Sequence, residues 1–300
     1  MSIQLGVDLG GTKIEIIALD GDGATLLRRR VATPSGDYPA ILSTIKNLVV
    51  AADTELGARY PVGFGTPGSA SPQDGRMRNC NSTCLNGKNL HEDLAQLLDR
   101  PVAIANDANC FALSEAADGA GAGAKSVFGV IIGTGAGAGI VIDGKLLEGA
   151  NRVAGEWGHN PLPWPRDDER PGQACYCGKS GCVETFVSGP GMKLDHHQVS
   201  QLILDTHEIV SLANSGDSAC SATMHRYEDR LARALAHVIN ILDPEIIVLG
   251  GGMSNIARLY DNVPRLWPRY VFSDVVRTKL TRNVHGDSSG VRGAARLVVC

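Results

Sequence analysis

The stretch Leu5-Gly-Val-Asp-Leu-Gly-Gly-Thr-Lys-Ile-Glu-Ile16 decides the expected fold, because a second stretch repeats its plan. That second stretch is Val130-Ile-Ile-Gly-Thr-Gly-Ala-Gly-Ala-Gly-Ile-Val141. Each begins as a short apolar strand, passes through a glycine turn that carries a threonine, and continues as another strand. One such hairpin from each half of the chain predicts a duplicated α/β lobe, with a nucleotide held in the cleft between the copies.

The first turn, Asp8 to Lys13, has the residue types of a phosphate site. Its glycines leave backbone N–H groups able to face phosphate oxygens, and Asp8 is placed to meet a magnesium ion or its waters. A plain Gly-Gly hairpin turn is the alternative. The second turn, Gly133 to Gly139, matches a relaxed G-x-G-x-x-A dinucleotide fingerprint. A strand follows it where that fingerprint requires a helix, so we reject the fingerprint.

The composition is that of a soluble globular protein: 300 residues, 43% hydrophobic and 20% charged, are enough for two lobes with separate cores. The net charge of -4 gives the chain no overall attraction for nucleic acid or an acidic membrane, both of which are negatively charged. The amino terminus lacks a basic region and reaches Asp8 too early for a signal peptide. We therefore expect a cytoplasmic enzyme with reduced cysteines and with no nucleic-acid or membrane partner.

A carboxylate is predicted at the point where a strand ends and a helix begins. Val102–Ala105 has the pattern of a strand, Asn106 and Asp107 follow, and residues 108–117 have the pattern of a helix. The helix dipole would keep Asp107 ionised, as a general base requires, and Asn106 could hold a substrate hydroxyl beside it. The alternative is that Asp107 merely caps the helix.

The stretch from Gly155 to Glu184 combines a histidine, His159, with the closely spaced Cys175, Cys177 and Cys182. Thiolates and an imidazole are the ligands that a tetrahedral structural zinc prefers. The C-x-C-x4-C spacing is not that of a zinc finger, so a disulfide or three unrelated buried thiols stay open as alternatives. A metal here would hold nearby polar side chains in place for a hydroxyl-rich ligand.

The remaining chain suggests a division into two lobes. An Ala/Gly-rich run at 118–124 marks the expected crossing, which gives a small lobe 1–118, completed by a last helix 287–300, and a large lobe 119–286. Gly250–Gly252 would let the chain pass under a flat ligand such as adenine, although close helix packing also explains such glycines. The segment from His196 to His207 is expected to be a solvated connector.

Six motifs, in this order, resemble those of the ROK family of sugar kinases. They are D-x-G-G-T-K at 8–13, A-N-D-A at 105–108, G-T-G at 133–135, G-E-x-G-H at 155–159, C-x-C-G-x-x-G-C-x-E at 175–184 and G-G-G at 250–252. The resemblance implies a two-lobed α/β fold of the actin-like, hexokinase (ribonuclease H-like) type, with nucleotide and sugar in the interlobe cleft. Repressors of the family carry an amino-terminal helix-turn-helix, whereas this chain starts at the first strand, so DNA binding is not expected.

The resemblance also implies residue roles, with Asp107 as the catalytic base. The sugar is expected at Gly68, Asn106, Asp107, Glu156, His159 and Glu184. Structural zinc is expected on His159, Cys175, Cys177 and Cys182. ATP with Mg²⁺ is expected at Gly6, Asp8, Gly10, Gly11, Thr12, Lys13, Gly133, Thr134, Gly135, Gly137, Gly251 and Gly252.

The expected reaction is phosphorylation of D-fructose at O6. Pro161–Trp164, Asn81–Thr83 and the ending at 287–295 look most like bacterial fructokinases, whereas Cys84 stands where that resemblance implies an aromatic residue. A kinase for glucose, mannose or an N-acetylhexosamine is the first alternative, and a non-catalytic sugar-binding regulator is the second. The resemblance to this family also implies a homodimer.

Overall fold

The computed structural model describes residues 3–298, which form a mixed α/β fold. Within these residues the strands are β1 (Gln4–Leu9), β2 (Lys13–Leu19), β3 (Thr25–Ala32), β4 (Val62–Thr66), β5 (Ser69–Ala70), β6 (Met77–Arg78), β7 (Val102–Asn106), β8 (Ser126–Ile132), β9 (Ala136–Ile142), β10 (Lys145–Leu146), β11 (Ile246–Gly250) and β12 (Lys279–Arg282). The α-helices are α1 (Tyr38–Leu56), α2 (Leu90–Leu98), α3 (Asp107–Asp118), α4 (Val183–Val187), α5 (Gly189–Ser200), α6 (Thr206–Asn214), α7 (Ser218–Leu242), α8 (Leu259–Leu266) and α9 (Ser289–Arg296).

The first large sheet has the strand order β3-β2-β1-β4-β7. β1, β2 and β3 form an antiparallel ribbon, and β4 and β7 continue the sheet parallel to β1. The core on one face includes Leu5, Val7 and Ile14 from the strands with Ile41 and Ile45 from α1. Their apolar side chains alternate along the strands and recur at helical spacing along α1, which is why both elements bury one face.

The opposite face of this sheet is covered by α9 at very short range. Val291 and Ala295 of α9 pack with Ile17 and Leu19. A Cβ atom at Gly63 would overlap the carbonyl oxygen of Ala294, so β4 can approach this helix only because position 63 carries no side chain.

The second large sheet repeats the order of the first, as β10-β9-β8-β11-β12. β11 lies parallel to both β8 and β12, with Ile247 between Phe128 and Leu280. The hairpin from β9 to β10 turns at Asp143 and Gly144, both with positive φ, as the Asp-Gly pair predicts. Two sheets of one strand order agree with the duplication that the two glycine hairpins suggested.

The described residues divide into two compact units. The first comprises the described parts of Met1–Gly123, Gly139–Ala154 and Val284–Cys300, and the second comprises Ala124–Ala138 and Gly155–Asn283. The sequence predicted a boundary at residue 118 and placed residues 139–154 in the large lobe, whereas they belong to the first unit. They belong there because Leu146 of β10 packs against the core cluster of Ala105, Cys110 and Ala294.

The expected solvated connector between His196 and His207 is correct only for residues 201–205, which are non-helical and mostly exposed. This segment contains the end of α5 and the start of α6, and His196 is fully buried with its Nδ1 2.9 Å from the Thr223 hydroxyl. Sequence reasoning missed this because one histidine on a polar helix gives no periodic apolar signal. Among residues 3–298, no helix has the length and apolar character that crossing a bilayer requires.

Candidate active site

The first glycine turn, between β1 and β2, is braced within the first unit. Gly10 donates its N–H to the carbonyl of Lys13 at 2.9 Å, and the Thr33 hydroxyl donates to the carbonyl of Gly10 at 2.8 Å. The N–H of Gly10, which the sequence assigned to phosphate, is therefore used inside the hairpin. Gly6, also assigned to ATP, lies within β1, where a Cβ atom would overlap the backbone of Ala295 in α9.

Asp8 lies at the end of β1 in an unfavourable place for a negative charge. Burial, and then the charges of Asp107 and Glu15, raise the pKa of Asp8 to about 6, against a smaller opposite effect of Lys13 and Arg30. A divalent cation would compensate this charge, and a carboxylate oxygen is the donor that Mg²⁺ prefers. The environment of Asp8 thus fits the metal-binding role that the sequence predicted.

The helix α3 begins at Asp107, but its capping residue is Asn106. The Asn106 side chain accepts a hydrogen bond from the N–H of Asn109 at 2.8 Å, whereas Asp107 Oδ1 accepts one from the N–H of Ala108 at 2.8 Å. Asn106 therefore fills the capping position that the alternative gave to Asp107, while Asp107 accepts one further N–H at the start of the helix. Asn106 was expected to hold a substrate hydroxyl; because its side-chain oxygen caps the helix, the side-chain NH₂ is the group that this role would use.

Asp8 lies within β1 and Asp107 directly follows β7, two strands of the same sheet with β4 between them. In the register, Asp8 pairs with Gly65 and Gly65 pairs with Ala105. A Cβ atom at Gly65 would lie 3.3 Å from Asp8 Oδ1, so any side chain there would crowd the carboxylate. Gly65 was not among the predicted site residues, although a second glycine in the same strand, Gly63, could have suggested a close approach.

Gly68, expected to contact the sugar, forms the bend after β4. Its φ is +139°, and a Cβ atom would lie 2.6 Å from Cys80 Sγ and 2.7 Å from the carbonyl oxygen of Arg78. Both the backbone conformation and the space therefore require glycine at this position. Cys84, which replaces the expected aromatic residue, is half-buried against the core of the first unit.

The second glycine turn, between β8 and β9, is held by residues of the second unit. Gly133 donates its N–H to the carbonyl of Gly135 at 2.9 Å, and its own carbonyl accepts from Gly189 at 2.8 Å. The Glu184 carboxylate accepts the N–H of Ala136 at 2.8 Å. Glu184, which the sequence assigned to the sugar, thus has a second task, because it fixes the shape of this turn.

The two glycines after β11 that were assigned to ATP differ in their surroundings. Gly251 has φ +78°, and a Cβ atom would overlap the carbonyl of Ile132, so packing alone explains this glycine. Gly252 has open space where a Cβ atom would stand, and its nitrogen lies near Gly133. Of the two interpretations of this motif, close packing therefore accounts for Gly251, whereas the approach of a ligand to Gly252 stays a prediction.

His159, Cys175, Cys177 and Cys182 come together, with their ligand atoms all within 4.8 Å of one another. Cys175 Sγ lies 3.5 Å from His159 Nδ1, and Cys177 Sγ lies 3.6 Å from Cys182 Sγ. These three cysteines are free thiols, and the sulfur separation is far beyond that of a disulfide. One imidazole nitrogen and three sulfurs at these separations fit a tetrahedral zinc.

The other face of His159 meets Tyr176, and Glu156 precedes this histidine in a short 3₁₀ turn. His159 Nε2 lies 3.0 Å from the Tyr176 hydroxyl, which leaves Nδ1 toward the thiols. Glu156 is exposed and occupies the position before the turn Trp157–His159. Cys182 precedes α4, the helix that carries Glu184, so the Cys/His cluster and the second glycine turn are linked through one short helix.

Comparison with known proteins identifies the family. The model of the ROK family matches residues 4–299. An N-acetyl-D-glucosamine kinase from Vibrio atlanticus (strain LGP32) is 40% identical over 296 residues, which cover 97% of this chain and 98% of that protein. A ROK hexokinase from Thermus thermophilus is similar in structure, with a TM-score of 0.87, 29% identity and coverage of 99% and 97%. A ROK family glucokinase from Streptomyces griseus, solved with glucose and AMPPNP, gives a TM-score of 0.76, 27% identity and 99% coverage of both chains.

These similarities confirm the expected family and the mixed α/β, hexokinase-type fold class, and they do not identify a fructokinase. The chain belongs to the ROK family and is a sugar kinase of that family.

Proposed function

We propose that this chain transfers the γ-phosphoryl group of ATP to a free hexose, and specifically to O6 of D-fructose. The main support for phosphoryl transfer is the presence of two carboxylates, Asp8 and Asp107, at the ends of two strands of one sheet. The charge of Asp107 raises the pKa of Asp8, so the two carboxylates act on one another. Phosphoryl transfer uses one carboxylate to accept the hydroxyl proton and another to hold the metal of the nucleotide.

Asp107 is the proposed general base. The amino end of α3 favours its ionised form, and so does the hydrogen bond from Ala108. The carboxylate would accept the proton of the attacking hydroxyl while the bond from the sugar oxygen to phosphorus forms and the bond to ADP breaks. Because little covalent chemistry is left to the protein, positioning of the two substrates would supply most of the rate.

Asp8, the turn Gly10–Lys13 and the turn Gly133–Gly137 are the proposed ATP-binding residues. Magnesium, when bound, would neutralise negative charge on the phosphate oxygens. Lys13 would add a positive charge, and the open space at Gly252 would admit the nucleotide close to the backbone. Gly6 and Gly251 support this site through packing, since their missing side chains let neighbouring backbone approach.

A structural zinc on His159, Cys175, Cys177 and Cys182 is the second part of the proposal. Four protein ligands would close the site, so the zinc would stabilise the loop without activating water. It would fix His159 and, through α4, Glu184, which we propose to contact the sugar together with Glu156. Gly68, Asn106 and Asp107 are the proposed sugar contacts of the first unit.

N-acetyl-D-glucosamine is the second candidate substrate. A relative named N-acetyl-D-glucosamine kinase shares 40% of its residues with this chain over nearly its full length. Fructose instead rests on the resemblance of Pro161–Trp164, Asn81–Thr83 and the ending at 287–295 to bacterial fructokinases. A cytoplasmic homodimer also stays a prediction, and light scattering of the purified chain would test its oligomeric state.

A coupled assay of ADP formation across D-fructose, N-acetyl-D-glucosamine, D-glucose and D-mannose tests the function. We expect the highest kcat/KM for fructose, at least about tenfold above the next sugar, which is within the range that a few polar contacts can provide. A preference for N-acetyl-D-glucosamine would support the second candidate. ADP formation that does not depend on any sugar of the panel would contradict both.

Metal analysis tests the zinc proposal independently of activity. The purified chain is expected to hold one zinc, and Cys177→Ser is expected to release it and to lower the melting temperature. Cys84→Ser is the matched control, because Cys84 is a half-buried free thiol outside the cluster. Equal zinc content in the wild type and in Cys177→Ser would contradict the proposed zinc site.

A further inference from the structure

A cavity of about 420 Å³ opens in the second unit, and none of the candidate active-site residues lines it. One wall consists of His225, Arg226, Glu228 and Asp229 on α7. The other wall consists of side chains that recur at helical spacing along α8 and the 3₁₀ turn after it, namely Asn262, Arg265, Leu266 and Arg269. The cavity is therefore a groove between two helical faces, and Arg166 lies at its edge.

The two acidic residues of this groove already have cationic partners. Glu228 accepts hydrogen bonds from Arg258 and from the Asn262 amide, the second at 3.0 Å. Asp229 accepts hydrogen bonds from three side chains at 2.7–3.0 Å, which belong to Arg166, Arg233 and Tyr270. Because these bonds compensate both carboxylates, neither is available to balance a further arginine.

Arg265 and Arg269 are the uncompensated charges of the groove. Among residues 3–298, no carboxylate lies within ion-pair distance of either guanidinium. Arg226, by contrast, is held by Asp195 at 2.7 Å. Two guanidinium groups on one face of a concave site, with their five N–H donors each, form the usual arrangement for binding a phosphate through paired hydrogen bonds.

We propose that this groove binds a phosphate monoester of a hexose. Its phosphate would bind Arg265 and Arg269, and its hydroxyls would meet polar groups such as His225. The volume is that of a site for a small organic molecule and is larger than a bare phosphate needs. A sugar kinase releases such an ester in every turnover, so the ligand class is always present where this chain works. The proposal needs only this general activity and none of the assigned catalytic residues.

Calorimetric titration with hexose 6-phosphates tests the groove while the active site is occupied. The protein is saturated with free sugar, Mg²⁺ and AMPPNP, and is then titrated with fructose 6-phosphate or N-acetyl-D-glucosamine 6-phosphate, each with its own free sugar. We expect one binding event in the wild type, weakened at least tenfold in Arg265→Ala/Arg269→Ala, since charge-assisted bonds to phosphate are lost. Both arginines are exposed, so this variant is expected to keep its fold and its turnover with saturating substrates.

A matched control variant distinguishes binding in the groove from a general effect of removing two positive charges. Arg170→Ala/Arg277→Ala removes two exposed arginines of the same unit that do not line the groove, and it is expected to bind the esters as the wild type does. An absence of binding in the wild type, unchanged binding in Arg265→Ala/Arg269→Ala, or equal loss in the control would each overturn the proposal. Inorganic phosphate is expected to bind at least tenfold more weakly than the ester, and equal affinity would reject a sugar phosphate as the ligand. Loss of activity in the sugar panel would leave these binding results intact, so the two proposals can fail separately.

Discussion

The two large sheets have the same strand order, yet the carboxylates beside their glycine turns have different surroundings. In the first sheet, the carboxylate next to the turn is Asp8, which belongs to the hairpin itself. In the second sheet, the carboxylate is Glu184, which comes from α4 and accepts the N–H of Ala136 in the hairpin. The first carboxylate is placed against other negative charges, whereas the second satisfies a backbone donor.

We infer from this difference that the two carboxylates have different roles. A half-buried carboxylate beside like charges, such as Asp8, is unfavourable for folding, and such groups concentrate at sites where chemistry needs them. A carboxylate that accepts a backbone N–H stabilises a loop. We therefore place the reacting groups in the first unit and a supporting role in the second, and four substitutions test this comparison.

Asp107→Asn is expected to have the largest effect. It should lower kcat by at least about a thousandfold, close to 4 kcal/mol of barrier, because the amide cannot accept the hydroxyl proton. Binding of sugar and nucleotide should stay near that of the wild type, as calorimetry can show. Asp99→Asn is the control, since it makes the same chemical change at an exposed residue with positive φ. Near-normal turnover of Asp107→Asn would reject the assignment of the base.

Gly63→Ala is expected to destabilise the protein by about 3 kcal/mol in urea unfolding, because the new methyl group overlaps the Ala294 backbone of α9. Gly252→Ala is the matched control in the second unit, where a Cβ atom meets open space. It should leave stability within about 0.5 kcal/mol of the wild type and weaken nucleotide binding. Equal stability of the two variants would show that α9 can shift away from β4.

Much of this fold was predictable from the sequence, for reasons visible in particular residues. Ile41, Ile45 and Leu48 recur at the spacing of a helix, and α1, Tyr38–Leu56, buries all three. The Asp37 side chain accepts the N–H of Ala40, and Gly57 ends the helix with φ +70°. Local signals of this kind depend on neighbours in the chain, which the sequence displays directly.

The sequence could not reveal roles that depend on distant neighbours. Gly6 and Gly251 resemble ligand-binding glycines, and only the positions of Ala295 and Ile132 show that packing requires them. The turn-holding role of Glu184 depends on Ala136, which lies 48 residues earlier in the chain. The cluster of His159 with three cysteines was expected from composition, but its closeness required the folded loop.

Asp8→Asn is expected to stabilise the ligand-free protein by about 1–2 kcal/mol at pH 7.5 while it lowers activity. The folded-state pKa of Asp8 is raised from 3.8 to about 6, so the folded state binds more protons than the unfolded state between these values. The destabilisation of the folded state by the charge of Asp8 is therefore largest above pH 6. It decreases as the pH falls through this window and disappears below 3.8. Chemical unfolding at pH 7.5 and pH 4.5 measures the gain, which should be smaller at pH 4.5.

The exposed Asp22→Asn serves as the control for Asp8→Asn, since it makes the same change of charge outside the site. It should alter stability by less than about 0.5 kcal/mol at both pH values. A stability gain in Asp8→Asn that is independent of pH would mean that the charge of Asp8 is not the cause, and the contrast between the two sheets would lose its energetic basis.

Glu184→Ala is expected to have the smallest effect, near 1 kcal/mol, because it removes the acceptor of a single backbone N–H in the second turn. It should raise the KM for ATP about fivefold, since the turn would lose its fixed shape, and it should also raise the KM for the sugar, because Glu184 is a proposed sugar contact. Glu184→Gln keeps an oxygen that can accept from Ala136, and its KM for ATP should stay within about twofold of the wild type. Equal increases in both variants would show that the negative charge of Glu184 matters more than its bond to the turn. The carboxylate beside the second turn would then act through its charge, as Asp8 does beside the first turn. The proposed difference between the two sheets would be wrong.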